Sequence, residues 1–255
     1  MSNNDKDLLH SWVTTIWSGV FGGRGDDGDA KKARNHLLVR YHEAVYHYFV
    51  AKIRDPNAAH ELYSNFAVKL IETDRILKNA DPSRGRFRHY LKAALHHMVI
   101  DYYRSKKRGE QLRRMTFDPA EHDVIATNDE AERDADFSPI WRQELLNQAW
   151  KTLQTLEDRT GQPHYTVLRC QSDNPDLRAP QLAERLSAKL GKPFTPEAVR
   201  QALHRARGKF AALLLEEVER TLESPTIDDL EAELIDQQLL PYCKKALEER
   251  RAAAT

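Results

Sequence analysis

The residues whose chemistry is easiest to interpret lie at the start of a helix that we predict to begin at Thr195. Thr195, Pro196 and Glu197 form a helix-start signal, because threonine caps a helix, proline suits its first position and an acid suits its positive end. Arginine and glutamine can each make paired hydrogen bonds to guanine or adenine edges, so the first two turns could read DNA. The candidate base-facing residues are Glu197, Arg200, Gln201, His204 and Arg205.

A shorter helix is predicted immediately before this one, over 180–190, with a turn at 191–194 between the two. A helix, a short turn and a second helix form the helix-turn-helix plan, in which the second helix enters a major groove. Arg207 and Lys209, further along the second helix, would then bind backbone phosphates. A pair of ordinary surface helices with solvated charges gives the same pattern, and this element alone leaves both interpretations open.

The charge of the chain is distributed unevenly, although its formal net charge is zero. Residues 84–114 carry ten Lys or Arg against two acids, whereas residues 115–136 carry eight acids against one Arg. The asymmetry is more informative than the average, because a clustered positive segment is typical of nucleic-acid-binding proteins. Residues 107–138 also lose helical periodicity, which predicts an acidic linker there.

Hydrophobic residues elsewhere recur at steps of three and four, which predicts an all-α protein with two helical domains joined by the acidic linker. The first domain, 30–106, would contain helices over 30–53, 56–71 and 86–105. The second domain, 139–223, would begin with a helix at Pro139 and contain the helix-turn-helix, whose second helix would end near Leu222. Residues 1–29 and 224–255 would be terminal extensions.

Several functional classes are disfavoured by the residue types and their spacing. Cys170 and Cys243 lie far apart, so neither a disulfide framework nor a metal site is expected. The run from His96 to Asp101 is only superficially like a histidine–aspartate metal hydrolase, because such enzymes need an adjacent His-Asp pair. We therefore expect no cofactor and no enzymatic activity. Neither a secretion signal nor a membrane-spanning stretch is visible, which predicts a cytoplasmic protein without a membrane partner.

Two stretches resemble the sigma-70 family of bacterial RNA polymerase sigma factors, in particular the extracytoplasmic-function type. The first is DPSRGRFRHYL at 81–91, followed by IDYYRSKKR at 100–108. The second is Leu203-His204-Arg205-Ala206-Arg207 in the predicted reading helix. The two stretches have the order of the family, with the acidic segment between them.

The resemblance implies that the first domain melts promoter DNA. Melting needs planar groups that stack on an unstacked base and cations that neutralise phosphates. Tyr90 stands where the family usually has Trp, and it could pack inside the protein instead of stacking on a base. His97 stands where the family frequently has Asn. Asp101 is expected to orient neighbouring cations. The DNA-facing set is Arg86, Arg88, Tyr90, Lys92, His96, His97, Arg104, Lys106 and Lys107.

The resemblance also gives the linker and one helix a role toward polymerase. In the family the linker follows the RNA exit path of the enzyme, where negative charge would mimic RNA; an ordinary solvated tether is the alternative. The helix over 56–71 aligns with the main polymerase-binding helix. Polymerase contacts are therefore expected at His60, Glu61, Leu62, Ser64 and Asn65.

This helix departs from the family in its charge. Family members usually carry an acidic pair, of which only Glu61 remains because His60 replaces the other acid. We hypothesise that phosphorylation at Ser64 or Tyr63 restores the missing charge, since a phosphate adds about two negative charges. The alternative is that Glu61 alone is sufficient for polymerase binding.

The sequence therefore predicts a transcription initiation factor that binds core RNA polymerase, recognises promoter DNA with the helix-turn-helix and melts it with the first domain. A Ser/Thr protein kinase or an anti-sigma factor would be a further partner. One alternative is a free-standing helix-turn-helix regulator, in which the basic-aromatic helix of the first domain would have no purpose. Another is a sigma-like RNA-binding or adaptor protein.

Overall fold

The computed structural model describes residues 28–72, 76–77, 86–114 and 130–253, and the regular structure within these ranges is entirely α-helical. The all-α expectation is therefore confirmed, whereas the predicted N-terminal extension lies almost wholly outside the described residues. The helices are α1 (Gly28–Ile53), α2 (Pro56–Ile71), α3 (Phe87–Arg114), α4 (Glu130–Thr160), α5 (His164–Asp173), α6 (Ala179–Leu190), α7 (Pro196–Arg220), α8 (Ile227–Asp236) and α9 (Leu240–Ala253).

The chain divides into two compact units at a point within α4. The first unit extends to Glu144 and includes the short stretch Arg220–Glu223. The second unit consists of Leu145–Glu219 and the residues from Ser224 onward. The sequence had suggested that the second domain begins at Pro139. In the structure, residues 139–144 belong to the first unit instead.

The first unit is built on α1, α2 and α3, which pack against one another. The start of α2 follows from its local sequence: Asp55 accepts hydrogen bonds from the backbone N–H groups of Asn57 and Ala58 at 3.0 and 3.3 Å, and Pro56 occupies the first turn. Each helix then contributes one apolar stripe to the core. The stripes contain Leu37, Tyr41, Val45, Tyr48 and Phe49 from α1, Leu62, Phe66 and Leu70 from α2, and Phe87, Leu91, Leu95 and Val99 from α3.

The N-terminal part of α4 completes this core with two aromatic residues. The indole ring of Trp141 is fully buried and stacks on the ring of Tyr41, with centroids 5.1 Å apart. Phe137 meets the ring of Tyr48 edge-on at 5.5 Å. Aromatic pairs of this kind add to the free energy gained from apolar burial. This packing explains why the first part of α4 belongs to the first unit.

The acidic linker predicted over 107–138 is helical at both of its ends. Helix α3 continues to Arg114 and α4 begins at Glu130, while residues 115–129 lie outside the described part of the chain. Pro139, which the sequence suggested as the start of a helix, lies inside α4.

The second unit has a compact core formed by α5, α6 and the first half of α7. The buried residues are Val167 and Cys170 of α5, Leu182, Ala183 and Leu186 of α6, and Val199 and Leu203 of α7. Phe194, in the turn between α6 and α7, packs against this cluster. The helix predicted over 180–190 is confirmed, and in the structure it begins at Ala179.

The C-terminal segment forms two helices that belong to the second unit. Thr226 and Asp229 make reciprocal capping hydrogen bonds that start α8. Arg250 of α9 donates two hydrogen bonds to the carboxylate of Glu219, at 2.5 and 2.6 Å, which ties α9 to the end of α7. Cys243 lies buried against the carbonyl of Ala211, and burial raises the pKa of its thiol to about 12. The tail is thus an integral part of this unit.

Replacement of Trp141 by alanine tests its role in the first core. Removing a fully buried aromatic side chain leaves a cavity and should lower the free energy of unfolding by about 3–5 kcal/mol. Tyr242→Ala, which truncates an aromatic ring that is 63% exposed, serves as the control and should change it by less than about 0.5 kcal/mol. Urea denaturation of both variants measures the difference; equal stability would contradict the assignment of α4 to this core.

Candidate functional site

The start of α7 presents a polar face of the kind that the sequence predicted. Val199, Leu203 and Ala206 form its single buried stripe, so the opposite side of these turns is directed to solvent. Arg200 pairs with Glu197 one turn before it. Seven side chains of this helix were predicted to contact DNA, of which Lys209 is half-buried. The other six are exposed, namely Glu197, Arg200, Gln201, His204, Arg205 and Arg207.

The turn before α7 is fixed by a small set of hydrogen bonds. The hydroxyl of Ser187 in α6 accepts a hydrogen bond from the backbone N–H of Phe194 at 2.8 Å and donates one to the carbonyl of Ala183 at 2.7 Å. Thr195 caps α7 by accepting a hydrogen bond from the N–H of Ala198 at 3.1 Å. Gly191 ends α6 with φ of 64°, a left-handed conformation that glycine adopts without strain. These contacts set the direction in which α7 leaves the turn.

A histidine that the sequence analysis missed lies beside this face. His164, at the start of α5, has a lowered pKa because of its partial burial and then because of the positive charges of Arg205 and Lys209. Its ring Nε2 lies 2.9 Å from the side-chain oxygen of Gln162. The sequence gave no signal for this grouping, because more than thirty residues separate His164 from the two cations that the fold brings near it.

An aromatic cluster supports the same side of the second unit. The ring of Trp150 in α4 packs against Phe210 of α7 at 4.8 Å and meets Tyr165 of α5 edge-on at 5.8 Å. The guanidinium of Arg169 lies 5.6 Å from the Trp150 ring centre, within range of a cation–π interaction. The contacts join three helices, and they hold α5 and its histidine at a fixed position relative to α7.

In the first unit, α3 exposes only part of the side-chain set that was predicted to face DNA. His97, Arg104, Lys106 and Lys107 are exposed, and Arg86, Lys92 and His96 are half-buried. The exposed cations are concentrated toward the C-terminal half of the helix. Arg104 lies 3.8 Å from Asp101, so the expected partner of that aspartate is present as a loose surface pair.

Two members of the predicted set have structural positions instead. Arg88 is only 7% exposed, because it precedes Leu91 and Leu95 by three and seven residues and so falls on the buried stripe of α3. Its predicted DNA contact is corrected accordingly. The Tyr90 hydroxyl donates a hydrogen bond to the carbonyl of Ile76, which favours the packing role that the sequence left open.

The helix predicted to bind polymerase exposes four of its five predicted contact residues. His60, Glu61, Ser64 and Asn65 lie on the exposed side of α2. Leu62 is only 4% exposed because it belongs to the apolar stripe with Phe66 and Leu70, so its predicted role as a contact is corrected.

The two predicted phosphorylation positions have different surroundings. Ser64 is exposed, and its hydroxyl donates a hydrogen bond to the carbonyl of His60 at 3.0 Å. Tyr63 is half-buried, packs edge-on against the ring of His42 at 4.8 Å, and has a pKa raised by burial. Ser64 is therefore the more accessible hydroxyl.

An open groove of about 360 Å³ separates the exposed faces of α2 and α3. Its walls carry both polar and apolar groups, including charged side chains from both helices. The lining residues are Glu61, Leu62, Asn65 and Lys69 from α2, and Met98, Asp101, Tyr102 and Ser105 from α3.

No cluster of three or more His, Cys, Asp or Glu residues that could hold a metal ion occurs in residues 28–72, 76–77, 86–114 and 130–253. None of the helices in the same ranges is both long and apolar enough to cross a bilayer. Comparison with family models, with curated proteins and with solved structures found no match to this chain.

The lowered pKa of His164 predicts an effect of acid on stability. The folded state binds a proton at this ring less tightly than the unfolded chain does. The stability that the neutral ring gives to the folded state is therefore lost as the pH falls below 6.5, the ordinary pKa of histidine. Thermal unfolding at about pH 7.5 and about pH 5.5 should show a smaller acid-induced fall in Tm for His164→Gln than for the unmodified protein. An identical fall in both proteins would show that the cations do not act on this histidine.

Proposed function

We propose that this protein is a sigma factor of the extracytoplasmic-function type, which binds core RNA polymerase and directs it to promoter DNA. The observation that carries the proposal is the start of α7, where every side chain predicted to face bases is exposed while one apolar stripe anchors the helix. Helices α6 and α7, with the turn at 191–195, would act as a helix-turn-helix. The choice of a sigma factor over other DNA-binding proteins rests on the sequence resemblance.

In this proposal α7 reads the upstream promoter element. Arg200 and Gln201 have the donors and acceptors to recognise guanine or adenine edges in a major groove. Arg207 and Lys209 would bind the phosphate backbone next to the bases, and His164 lies beside Lys209. The exposed position of the α7 face and the hydrogen-bonded turn before it support this role.

The first unit would hold the opened strand of the downstream element along the C-terminal half of α3. Arg104, Lys106 and Lys107 supply exposed positive charge for phosphates. Since Tyr90 is engaged with the backbone of Ile76, the aromatic surface is better supplied by Tyr103, which is 45% exposed. Its hydroxyl donates a hydrogen bond to the carbonyl of Lys52 at 3.0 Å, which fixes the ring while leaving it accessible to an unstacked base.

A free-standing DNA-binding regulator is the second candidate function, because the same α7 face would serve it equally well. Such a protein would bind its DNA site without polymerase. The exposed cations of α3 and the exposed polar side of α2 would then be ordinary solvated surfaces. Dependence of specific DNA binding on core polymerase separates the two functions.

Copurification with core RNA polymerase and DNA binding with and without it test the proposal. We expect a stable complex, and specific promoter binding only by that complex. Arg200→Ala and Gln201→Ala should each weaken specific binding by about tenfold or more, since a paired contact to a base contributes about 1–3 kcal/mol. Lys244→Ala, at an exposed cation of α9, is the control. Specific binding that needs no polymerase would favour the free-standing regulator.

We also propose that phosphorylation of Ser64 strengthens polymerase binding. The hydroxyl is exposed one turn after His60, which occupies the position of the acid usually found in the family. Ser64→Glu should therefore bind core polymerase more tightly than Ser64→Ala, and kinase treatment should strengthen binding by the unmodified protein only. Thr155→Glu, a helical hydroxyl of the second unit with the same type of backbone hydrogen bond, is the control. Equal affinities throughout would refute this regulation.

A further inference from the structure

One strip of side chains on the α1–α2 pair is not used by the core of the first unit. Val39 is 69% exposed, and the other members of the strip are half-buried. Contiguous apolar and aromatic surface of this kind often marks a place where another segment or molecule packs. We call the strip the outer face; it consists of Val39, His42 and Tyr46 of α1 and of Tyr63, Ala67 and Ile71 of α2, which recur at helical steps of three and four.

Ring contacts make the outer face continuous across the two helices. The ring of Tyr63 meets His42 edge-on with centroids 4.8 Å apart, and it meets Tyr46 edge-on at 6.4 Å. Further along the pair, Arg34 Nε donates a hydrogen bond to the carbonyl of Ile71 at 2.9 Å. The two helices therefore run antiparallel here, and the residues between these contacts lie at the same level on both.

A segment with a matching apolar pattern precedes α1 in the chain. Residues 8–21 lie outside the described ranges, but their sequence alternates two apolar residues with two residues that are polar or glycine. Asp, Glu, Lys and Arg do not occur among them. On a helix this pattern puts every apolar residue on one broad side. These residues are Leu8, Leu9, Trp12, Val13, Ile16, Trp17, Val20 and Phe21.

The length of this segment matches the length of α1 that it would have to cover. As a helix, residues 8–21 would be about 21 Å long, and α1 from Gly28 to His42 spans about the same distance. The connection at 22–27 can extend to about 20 Å, more than the roughly 8–10 Å between packed helices. Its glycines at 22, 23 and 25 allow the chain to reverse. A helix that folds back from α1 would therefore pass Val39 and reach the ring of His42.

We propose that residues 8–21 form a helix that folds back along α1 and packs its apolar side on the outer face. A short helix with threonine, serine and glycine on its polar side is marginal in water, so it needs the packing that this face supplies. The short connection favours the chain's own face over that of a second copy, because it keeps the segment at a high local concentration. A membrane surface is disfavoured, since helices that lie on membranes usually carry Lys or Arg on the polar side. The inference does not rest on the function proposed above.

Hydrogen exchange of the full-length protein, read by mass spectrometry, tests the packing of this segment. The amides of residues 8–21 should exchange at least about tenfold more slowly than in a synthetic peptide of the same sequence, because packing stabilises the helix. Val39→Glu puts a charge on the outer face and should return exchange to the rate of the peptide. Ile235→Glu makes the same kind of change at a 55% exposed residue of the second unit and should leave the slow exchange intact.

Two variants of the segment test which of its sides packs. Ile16→Ser removes an apolar side chain from the side proposed to pack and should speed the exchange of residues 8–21. Thr15→Ser, one residue earlier on the polar side, should not. Slow exchange of the α1 amides in every variant shows that the first unit stays folded. Equal exchange of residues 8–21 in Ile16→Ser and the unmodified protein would overturn the proposal.

Protein concentration and lipid distinguish the other possible occupants. Slow exchange of residues 8–21 that does not depend on protein concentration supports packing within one chain, whereas slowing that increases with concentration would assign the outer face to a second copy. Slowing that appears only after vesicles of phosphatidylcholine and phosphatidylglycerol are added would assign the segment to a membrane. Either result would contradict the proposal, as would slow exchange that persists in Val39→Glu or exchange at the peptide rate in the unmodified protein.

Discussion

The N-terminal half of α7 buries one stripe of side chains, and the orientation of the proposed DNA-reading face depends on that stripe. Val199, Leu203 and Ala206 are held in the core of the second unit, so residues on the other side of these turns must face solvent. Ser187 and Thr195 add hydrogen bonds at the preceding turn, where a small change of angle would be amplified along the helix. The C-terminal half of the same helix is enclosed on several sides.

This contrast between the two halves of α7 has a consequence for the C-terminal segment. Contacts of Cys243 with Ala211 and of Arg250 with Glu219 place α9 with the enclosed half of the helix, and α8 packs against α9. The exposed residues from Glu197 to Arg207 precede that region. The tail therefore stabilises the C-terminal half of α7, whereas the proposed DNA-reading face lies on the N-terminal half.

Local sequence signals predicted the positions of most helices, because a cap or a proline acts through hydrogen bonds to the next turn. Asp55-Pro56 and Thr195-Pro196 are examples, and both start helices as expected. The contact predictions were wrong at positions whose place in the helical repeat puts them on the buried side of the helix. Arg88 was assigned to DNA by its charge and Leu62 to polymerase by its place in a motif, although both continue apolar stripes at helical spacing. Trp141 shows a further limit, because the sequence gave no sign that α4 is divided between two units.

Some groupings of side chains could not have been inferred from local sequence at all. Glu61 and Asp101 are forty residues apart, and only the packing of α2 on α3 makes them walls of one groove. The same applies to His164 and the cations of α7. In both cases the residue types are common on solvated helices, and their significance comes from tertiary contact.

Transcription by core RNA polymerase in vitro tests the central claim most directly. Core enzyme is incubated with the DNA upstream of the gene for this protein, with and without the protein, and the RNA 5′ ends are mapped. The sigma-factor proposal predicts RNA that begins at a defined position only when the protein is present, and that is lost with the Arg200→Ala variant. Transcripts that are unchanged by adding the protein, although it binds the same DNA specifically without polymerase, would contradict it.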